Sequence, residues 1–405
     1  MKIACIHPAF TGSGGGERQI LNLAIELQKK GHYVEIFTQY LDPLKCFPEQ
    51  IRQVKIKAVF PNRITRDTME MLANAFEKNK VLYKIMLDVA RNYKDFINMV
   101  IIGLNIPRNF DIINCHNFPT EWAACIAKIK TKTPVVWSCN EPPFWFLHHS
   151  NLKILCFPLY QLWDRFLVKK YINRIVTLDK LNKQRVKEIY GCESIIVRSG
   201  IDYALLQDVS GERIRDSYDI KDSDFVLLQV GTLAEYKRQV DSIQALKILK
   251  GTENIKLIFA GESPRTEKVF LENLVKELGI ADRVIFAGKV SDENLYKLYM
   301  ACDILLFPAE QTWGLAAIEA MASSKPVIVN RNCGVAEVIE DGSNGFLVSS
   351  RSPEEMAEKV RILMADSNLY KSMGQKAREF VKANFSWEKL AEDYINIFEE
   401  VCNYS

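Results

Sequence analysis

The chain has 405 residues, of which 48% are hydrophobic, 25% charged and 10% aromatic. This composition is typical of a globular protein long enough for two domains, and it excludes a disordered chain, a collagen and a small disulfide scaffold. Residues 1–200 carry 29 Lys and Arg against 17 Asp and Glu, a net charge of +12, whereas residues 201–405 carry 24 against 33, a net charge of −9. The basic half suits an anionic partner or an anionic membrane surface, and a solvated basic face explains it equally well.

Ten cysteines are scattered along the chain without paired spacing, and the apolar start of the sequence is interrupted too soon for a signal peptide. No apolar run approaches the roughly 20 residues that are needed to cross a bilayer. We therefore expect reduced, mostly buried cysteines in a cytoplasmic protein.

Apolar, β-branched runs alternate with helical patterns along both halves, which predicts an α/β fold with parallel sheets covered by helices. A helix is expected over residues 17–30, ending at Gly31, and residues 63–98 favour helix over strand. The strands predicted in the first half are 2–6, 33–38, 111–115, 134–139, 174–178 and 194–197. Those predicted in the second half, each pair with a helix between them, are 225–230, 255–259, 283–286, 304–307, 326–329 and 345–348.

Two such series in one chain predict two Rossmann-like domains whose parallel sheets face an interdomain cleft that holds the ligand. The pattern is interrupted at residues 198–203, so we place an N-terminal domain at 1–200 and a C-terminal domain at 201–385. Residues 386–405 form a final helix, which we expect to pack back on the N-terminal domain.

A glycine-rich turn connects the first strand to the first helix. At Gly14, Gly15 and Gly16, unhindered backbone N–H groups meet the positive end of a helix, which predicts an anion site, with a tight turn as the alternative. The dinucleotide-binding fingerprint is excluded because Glu17 stands at its third glycine position.

A second strand-to-helix segment runs from Phe307 to Met321. It directs a helix N-terminus, near Gly314, toward the predicted cleft. Glu319 lies on this helix among apolar residues, where a carboxylate needs a hydrogen-bond partner. A ribose diol is a suitable one.

This second segment resembles the signature of the family 4 retaining glycosyltransferases of the GT-B fold, in which two glutamates flank seven residues. The resemblance implies that the first acidic position contacts the donor sugar and that the second, Glu319, contacts the nucleotide ribose. At the first position this chain has Gln311, preceded by Glu310, and a glutamine cannot carry negative charge. The intervening residues that the resemblance assigns to the donor site are Thr312, Trp313, Gly314 and Leu315.

The resemblance extends over nearly the whole chain. Residues 230–238 are similar to the segment whose Arg and Lys clamp the donor diphosphate. Lys237 matches the lysine, Thr232 stands at the arginine position, and Arg238 is the candidate for the missing charge. Gly261 and Phe286 lie in segments that are similar to the loops around the nucleotide base.

In the first half, residues 111–117 resemble the segment whose histidine reaches the transferred sugar, which implies this role for His116. A structural histidine is the alternative. Asn140 and Glu141 belong to a segment similar to the next motif and are implied to bind the acceptor. The first 50 or so residues are most similar to mannosyltransferases that extend lipid-linked oligosaccharides.

The resemblance implies a retaining, metal-independent hexosyltransferase that moves a mannose- or glucose-type hexose to a glycan or lipid-linked acceptor. The donor would be a nucleotide-diphosphate sugar of GDP or UDP type, and neither a cofactor nor a nucleic acid is expected. Glu310, Gln311, Lys237, Arg238 and His116 are the residues expected to act in catalysis.

The basic, aromatic residues 157–170 suit an anionic lipid surface, with a core helix bearing a basic rim as the alternative. Two other functions stay open. One is a nucleotide-sugar epimerase or phosphorylase on the same fold. The other is a sugar-binding homologue with weakened catalysis, which Gln311 and Thr232 favour.

Overall fold

A computed structural model describes residues 1–12, 14–59, 95–143, 157–203, 205–206, 212–249, 251, 254–310 and 313–403. The chain divides into two compact units. Unit 1 comprises Met1–Arg198 and Trp387–Ser405, and unit 2 comprises Ser199–Ser386. Most of the predicted helical stretch 63–98 lies outside the described residues.

Unit 1 contains one parallel sheet of seven described strands, in the order β3-β2-β1-β4-β5-β6-β7. The strands are β1 (Lys2–Phe10), β2 (Tyr33–Leu41), β3 (Lys55–Ala58), β4 (Ile112–His116), β5 (Val135–Ser138), β6 (Arg174–Thr177) and β7 (Ile195–Ile196). The helices are α1 (Gly15–Lys29), α2 (Pro48–Ile51), α3 (95–105), α4 (Thr120–Thr131), α5 (Phe157–Tyr171), α6 (Lys180–Tyr190) and, from the end of the chain, α14 (Trp387–Asn403).

Unit 2 contains a second parallel sheet, of six described strands, in the order β10-β9-β8-β11-β12-β13. The strands are β8 (Phe225–Val230), β9 (Ile255–Ala260), β10 (Val284–Gly288), β11 (Ile304–Phe307), β12 (Val327–Asn330) and β13 (Phe346–Val348). The helices are α7 (Glu212–Asp216), α8 (Gln239–Ile248), α9 (Arg265–Glu277), α10 (Asp292–Ala301), α11 (Leu315–Ala322), α12 (Pro353–Ala365) and α13 (Ser367–Asn384).

The two sheets confirm the predicted α/β fold with two Rossmann-like units. In each sheet the strand order reverses once, between β1 and β4 in unit 1 and between β8 and β11 in unit 2. Such a reversal is a topological switch point. Ligands of open α/β sheets bind there, at the carboxyl ends of the strands.

Alternating burial explains most of the elements. Successive residues of β1 contribute to separate cores on the two faces of the sheet, with Ile3 in one and Ala4 in the other. The short edge strand β3 is absent from the sequence prediction because it alternates exposed lysines with half-buried apolar residues. β7 is two residues long instead of the predicted four, since only Ile195 and Ile196 pair with β6.

Helix α14 packs into the core of unit 1. Tyr394 and Phe398 are fully buried among residues of β1 and α1. Lys30, directly after α1, forms an ion pair with Glu392 of α14 at 2.8 Å. The last helix is therefore part of the hydrophobic core of unit 1.

Two buried acidic residues, Glu121 and Asp164, lie on neighbouring helices of unit 1, α4 and α5. The Asp164 carboxylate accepts hydrogen bonds from Trp122 Nε1 at 2.7 Å and from the Tyr190 hydroxyl at 2.8 Å, and burial raises the pKa of Asp164 to about 6. Glu121 is fully buried, and neither of its carboxyl oxygens bonds to another described residue. Burial, with the nearby Asp164 charge, raises the pKa of Glu121 well above its usual range.

Replacing Glu121 with Gln should flatten the pH dependence of stability. The unfolded chain releases the Glu121 proton near pH 4.5, whereas the folded chain keeps it to higher pH. The free energy of unfolding therefore falls as pH rises from about 4.5 to the raised pKa of Glu121 in the folded protein. The slope for one group is about 1.4 kcal/mol per pH unit. Thermal midpoints at pH 5, 6.5 and 8 would show a smaller decrease for Glu121→Gln than for the wild type. The exposed control Glu188→Gln should follow the wild type, and equal slopes for all three proteins would contradict the prediction.

Gly261 brings the carboxyl ends of β8 and β9 together. Its φ of 151° lies in a region that side chains avoid, and a Cβ added there would lie 2.2 Å from the carbonyl oxygen of Gly231 and 3.1 Å from the backbone nitrogen of Thr232. The backbone of one strand end thus rests on the backbone of its neighbour. Only glycine permits this approach.

Gly261→Ala should therefore lower the thermal midpoint more than Gly279→Ala. Gly279 also has a positive φ, of 67°, but no atom lies within 4 Å of where a Cβ would be, so alanine there incurs only the backbone strain of about 1–2 kcal/mol. The alanine at Gly261 adds a clash that moves residues 231–232. Differential scanning calorimetry measures both midpoints, and equal losses would refute the steric argument.

Candidate functional site

The switch point of unit 2 places a lysine beside the end of β8. Lys237 closes a 3₁₀ turn that follows this strand, and its ammonium lies 5.2 Å from the Tyr236 ring and 5.9 Å from the Phe307 ring. Its aliphatic carbons lie over Gly231, where a Cβ would approach them to 3.6 Å. The predicted diphosphate-binding lysine is thus held against two aromatic rings at the carboxyl edge of the sheet.

Helix α11 begins at the same edge, directly after β11. Its N-cap, Gly314, has a φ of 85°, and a Cβ there would come within 2.9 Å of the Phe307 ring and 2.8 Å of Val335. Trp313 is buried against Phe385, and Leu315 opens the helix. The first N–H groups of a helix lack intrahelical acceptors, so this helix end can stabilise an anion. Gln311 and Thr312 lie outside the described residues.

Glu319 lies one and a quarter turns into α11. Its side chain is buried, with 6% of the residue exposed, and it accepts a hydrogen bond from the Tyr299 hydroxyl at 2.6 Å. The sequence correctly required a hydrogen-bond partner for this carboxylate. The partner that the structure supplies is a tyrosine of α10, and contact with a ribose stays a prediction.

Residues 308–310, which lead from β11 toward α11, are held by side chains from the end of β12 and from beyond β13. The Asn330 amide donates to the carbonyl oxygens of Pro308 at 3.0 Å and Ala309 at 3.4 Å. Arg351 Nε donates to the Glu310 carboxylate at 3.2 Å. Glu310 is therefore paired with a cation of its own unit. Asn330 was missed by the sequence analysis, and an asparagine at a strand end is too common a feature to reveal it.

Arg238, the candidate for the missing phosphate-binding charge, is already paired. Its Nε and one terminal nitrogen donate to the two oxygens of buried Asp241 at 3.0 and 2.6 Å, and this hydrogen bonding raises the pKa of Arg238. Thr232 is exposed at the end of β8, and its carbonyl accepts from Gln239. This bidentate ion pair with Asp241, three residues further along the chain, neutralises the charge of the Arg238 guanidinium.

The strand ends at β9 and β10 form a partly exposed apolar surface. Phe286 stacks on Phe259 with ring centroids 5.4 Å apart and an interplanar angle of 27°. Gly261 donates its N–H to the carbonyl of Gly288 at 2.8 Å. Contact of Gly261 and Phe286 with a nucleotide base stays a prediction.

In unit 1 the glycine-rich turn is occupied by the chain's own carboxylate. Helix α1 begins at Gly15 with Gly14 as its N-cap, and Glu17 Oε2 lies 2.5 Å from where a Gly14 Cβ would be. The backbone N–H groups of Gly14 and Glu17 face this carboxylate, whose pKa burial nevertheless raises. The Glu17 carboxylate therefore lies beside Gly14, at one end of the predicted anion site, and anion binding at Gly14, Gly15 and Gly16 stays a prediction.

His116 ends β4 and is fully buried. Its Nε2 bonds to Asn114 Oδ1 at 2.6 Å, and its Nδ1 has no partner among the described residues. His7, also buried, bonds through Nδ1 to the Ala9 carbonyl and through Nε2 to Asn117 at 3.5 Å. Burial lowers the pKa of each histidine to about 3. His7 and Asn117 were not predicted as site residues, although Asn117 lies in the segment 111–117 that was assigned to the transferred sugar.

Asn140 and Glu141 follow β5. Asn140 is buried, and its amide donates to Gln19 Oε1 at 2.6 Å, while its carbonyl accepts from Asn182 at 3.0 Å. Glu141 is exposed. Of the two predicted acceptor-binding residues, only Glu141 presents its side chain to solvent.

Over the described part of the chain, no group of three or more His, Cys, Asp and Glu side chains is arranged to hold a metal ion. None of the described helices is long and apolar enough to cross a membrane.

Comparisons with known proteins agree with this architecture. Residues 13–205 match the family model for Glycosyltransferase Family 4, and residues 210–380 match that for Glycosyl transferases group 1. The chain is 23% identical over 447 aligned positions to the α-1,3/1,6-mannosyltransferase ALG2 of Dictyostelium discoideum, covering 99% of this chain and 98% of that protein. It is 33% identical over 190 residues to N-acetyl-α-D-glucosaminyl L-malate synthase of Bacillus anthracis, covering 47% and 49%.

A similar solved structure is that of Anabaena HepE in complex with UDP and glucose. Its TM-score is 0.77 at 16% identity, and the match covers 99% of this chain and 100% of that one. The two family models lie in series along the chain: one covers β2 to β7 of the unit 1 sheet, and the other covers all six described strands of the unit 2 sheet. The chain therefore belongs to the family 4 glycosyltransferases, has the GT-B fold and resembles their mannosyltransferases.

Proposed function

We propose that this glycosyltransferase moves a mannose- or glucose-type hexose from a nucleotide-diphosphate sugar to a hydroxyl of a glycan or lipid-linked acceptor, with retention of configuration and without a metal ion. The observation that carries the proposal is at the carboxyl edge of the unit 2 sheet, where Lys237 and the N-terminus of α11 both lie against the Phe307 ring. Buried Glu319 follows on the same helix. Two similar proteins support the substrate class, since the HepE structure is a complex with UDP and glucose and ALG2 is a mannosyltransferase.

The departing nucleotide diphosphate develops negative charge that fixed donors must stabilise. Lys237 supplies a full positive charge, and the N–H groups at the start of α11 supply a partial one. Removing one preorganised donor from such a site typically costs about 2.7–4 kcal/mol of activation free energy. Arg238, paired with Asp241, contributes less because its charge is already neutralised.

The remaining donor contacts follow the same edge. Glu319 accepts a ribose hydroxyl while Tyr299 holds its carboxylate in place. The base lies against Phe286 and Gly261. Glu310 and Gln311 stay as proposed contacts of the donor sugar, and Glu310 is held there by Arg351. In unit 1, the proposed ligand-binding groups are His116, Asn140 and Glu141.

Lys237→Ala should reduce kcat with a nucleotide-sugar donor by about 10²–10³-fold, because it removes a donor that stabilises the leaving group. Glu319→Gln should chiefly weaken nucleotide binding. The charge-matched control is Lys276→Ala, an exposed residue in the last turn of α9, which should keep wild-type turnover. Near-normal rates for both site variants would contradict the proposal.

The donor can be identified by screening thermal stabilisation with UDP, GDP and their hexose conjugates. A ligand at 100 times its dissociation constant adds about 2.7 kcal/mol to the stability of the folded state. Turnover that requires inorganic phosphate would indicate a phosphorylase instead, and conversion of the nucleotide sugar without an acceptor would indicate an epimerase.

A surface of α5 fits the membrane-associated acceptor. Leu162 and Phe166, one turn apart, are 61% and 53% exposed. Lys169 and Lys170 continue the same face, and the Lys170 ammonium lies 5.1 Å from the Phe166 ring. Exposed apolar side chains beside lysines match the acyl and headgroup layers of an anionic bilayer. We propose that this face of a cytoplasmic enzyme rests on such a surface.

The double variant Leu162→Ser, Phe166→Ser should reduce binding to vesicles of anionic phosphatidylglycerol by at least about tenfold, since burying one such side chain is worth roughly 1.5–3 kcal/mol. Cosedimentation measures the binding. The matched control is Val269→Ser, Phe270→Ser on α9, which removes side chains that are 46% and 55% exposed in unit 2 and should leave binding unchanged. If the wild type binds no anionic vesicles, or both double variants lose binding equally, the surface is misassigned.

A further inference from the structure

His116 of unit 1 belongs to a hydrogen-bonded group of buried polar side chains. Asn114 lies two residues earlier in β4, Ser138 ends the neighbouring strand β5, and Tyr394 comes from α14, near the end of the chain. All four residues are fully buried. The Tyr394 ring also stacks on the His116 imidazole, with centroids 6.3 Å apart and an interplanar angle of 21°.

The orientation of the Asn114 amide is fixed by a backbone carbonyl. Asn114 Nδ2 donates to the Val136 carbonyl oxygen at 3.1 Å and to Ser138 Oγ at 3.0 Å. A carbonyl oxygen can only accept, so the nitrogen of the amide must face Val136. The amide oxygen therefore faces His116.

The orientation of Asn114 in turn fixes the proton of His116. Asn114 Oδ1 lies 2.6 Å from Nε2 of the imidazole, and an amide oxygen accepts only, so Nε2 carries the proton. Nδ1 is then a bare acceptor, and it is this atom that lacks a partner among the described residues. Burial and the neighbouring His7 keep the pKa of His116 low, near 3, so the ring is neutral.

We propose that Asn114 is a positioning residue that holds His116 with its proton on Nε2, so that Nδ1 accepts a hydrogen bond from a sugar hydroxyl. Ser138 and Tyr394 support the amide: Ser138 Oγ receives the second N–H of Asn114 and bonds to the Tyr394 hydroxyl at 2.7 Å. The C-terminal helix thereby contributes a hydrogen bond to Ser138, while the tautomer is set by Asn114. The sugar in this proposal rests on the proposed function, whereas the tautomer does not.

The surroundings favour a hydroxyl over an anion at this edge. Both histidines are uncharged, and Nδ1 of His116 is acceptor-only. The start of α1, which could otherwise attract a phosphate, already holds the Glu17 carboxylate. A carboxylate ligand or an ionised phosphodiester has no proton to give to Nδ1 at neutral pH, whereas a sugar hydroxyl has one.

The tautomer can be read without substrate by long-range ¹H–¹⁵N correlation spectra of the full-length protein labelled in its histidine rings, with His116→Asn used to assign the signal. The expected result is a protonated Nε2 and an unprotonated Nδ1. Tyr394→Phe, which keeps the ring, should preserve this tautomer, and Asn114→Leu should lose it. A wild-type His116 that carries its proton on Nδ1, or on both nitrogens, overturns the proposal whether or not the variants fold.

Two substitutions of His116 test which atom acts. In His116→Asn the amide oxygen can occupy the place of Nδ1, whereas in His116→Gln the amide reaches the place of Nε2. We expect kcat/KM to fall at least about tenfold further in His116→Gln than in His116→Asn, the effect of roughly one hydrogen bond. A smaller loss in His116→Gln would refute the role of Nδ1. Absence of turnover with every nucleotide sugar would contradict the proposed function, and the spectra would still decide the tautomer.

Discussion

Polar groups buried at the carboxyl edges of the two sheets must find hydrogen-bond partners inside the protein, and this requirement determines what each edge can bind. A buried donor or acceptor left unpaired costs about 1–3 kcal/mol, so side chains at these edges pair with one another wherever they can. Arg238 is taken up by Asp241, and Asn330 by two backbone carbonyls. What each edge can bind therefore depends on which of its charged groups are neutralised by such pairs.

The two switch points differ in the charge of the groups that lie at them. In unit 2 a lysine and the start of α11 lie at the sheet edge, and both favour an anion. In unit 1 the Glu17 carboxylate lies beside the N-cap of α1, and His7 and His116 are neutral because burial lowers their pKa values. The net charge of +12 over residues 1–200 therefore does not describe the unit 1 edge. Part of that charge lies instead on the exposed face of α5, next to Phe166.

The sequence was sufficient for the fold class because buried β-branched runs and amphipathic helices have distinct periods. It failed at β3, where an edge strand exposes Lys55 and Lys57 and so lacks a buried run. Site residues on glycine-rich turns and strand ends could be placed along the chain. Their partners could not be, since nothing in the order of residues shows that Tyr299 reaches Glu319 or that Tyr394 reaches the network around His116.

The departures from the family pattern acquire a physical meaning in this setting. In the proposed function, Thr232 stands where the family pattern has an arginine and Arg238 is paired with Asp241. Among the described residues of this edge, Lys237 and the start of α11 would then chiefly stabilise the leaving diphosphate. A helix dipole acts only within its first turn, and its direction must therefore be held firmly. Gly314, whose left-handed conformation fits between Phe307 and Val335, sets that direction, and the amide of Asn330 holds the segment that leads to it. In the proposed function, the fixed N–H groups at the start of α11 would thus supply part of the stabilisation of the diphosphate that a second cation supplies in the family pattern.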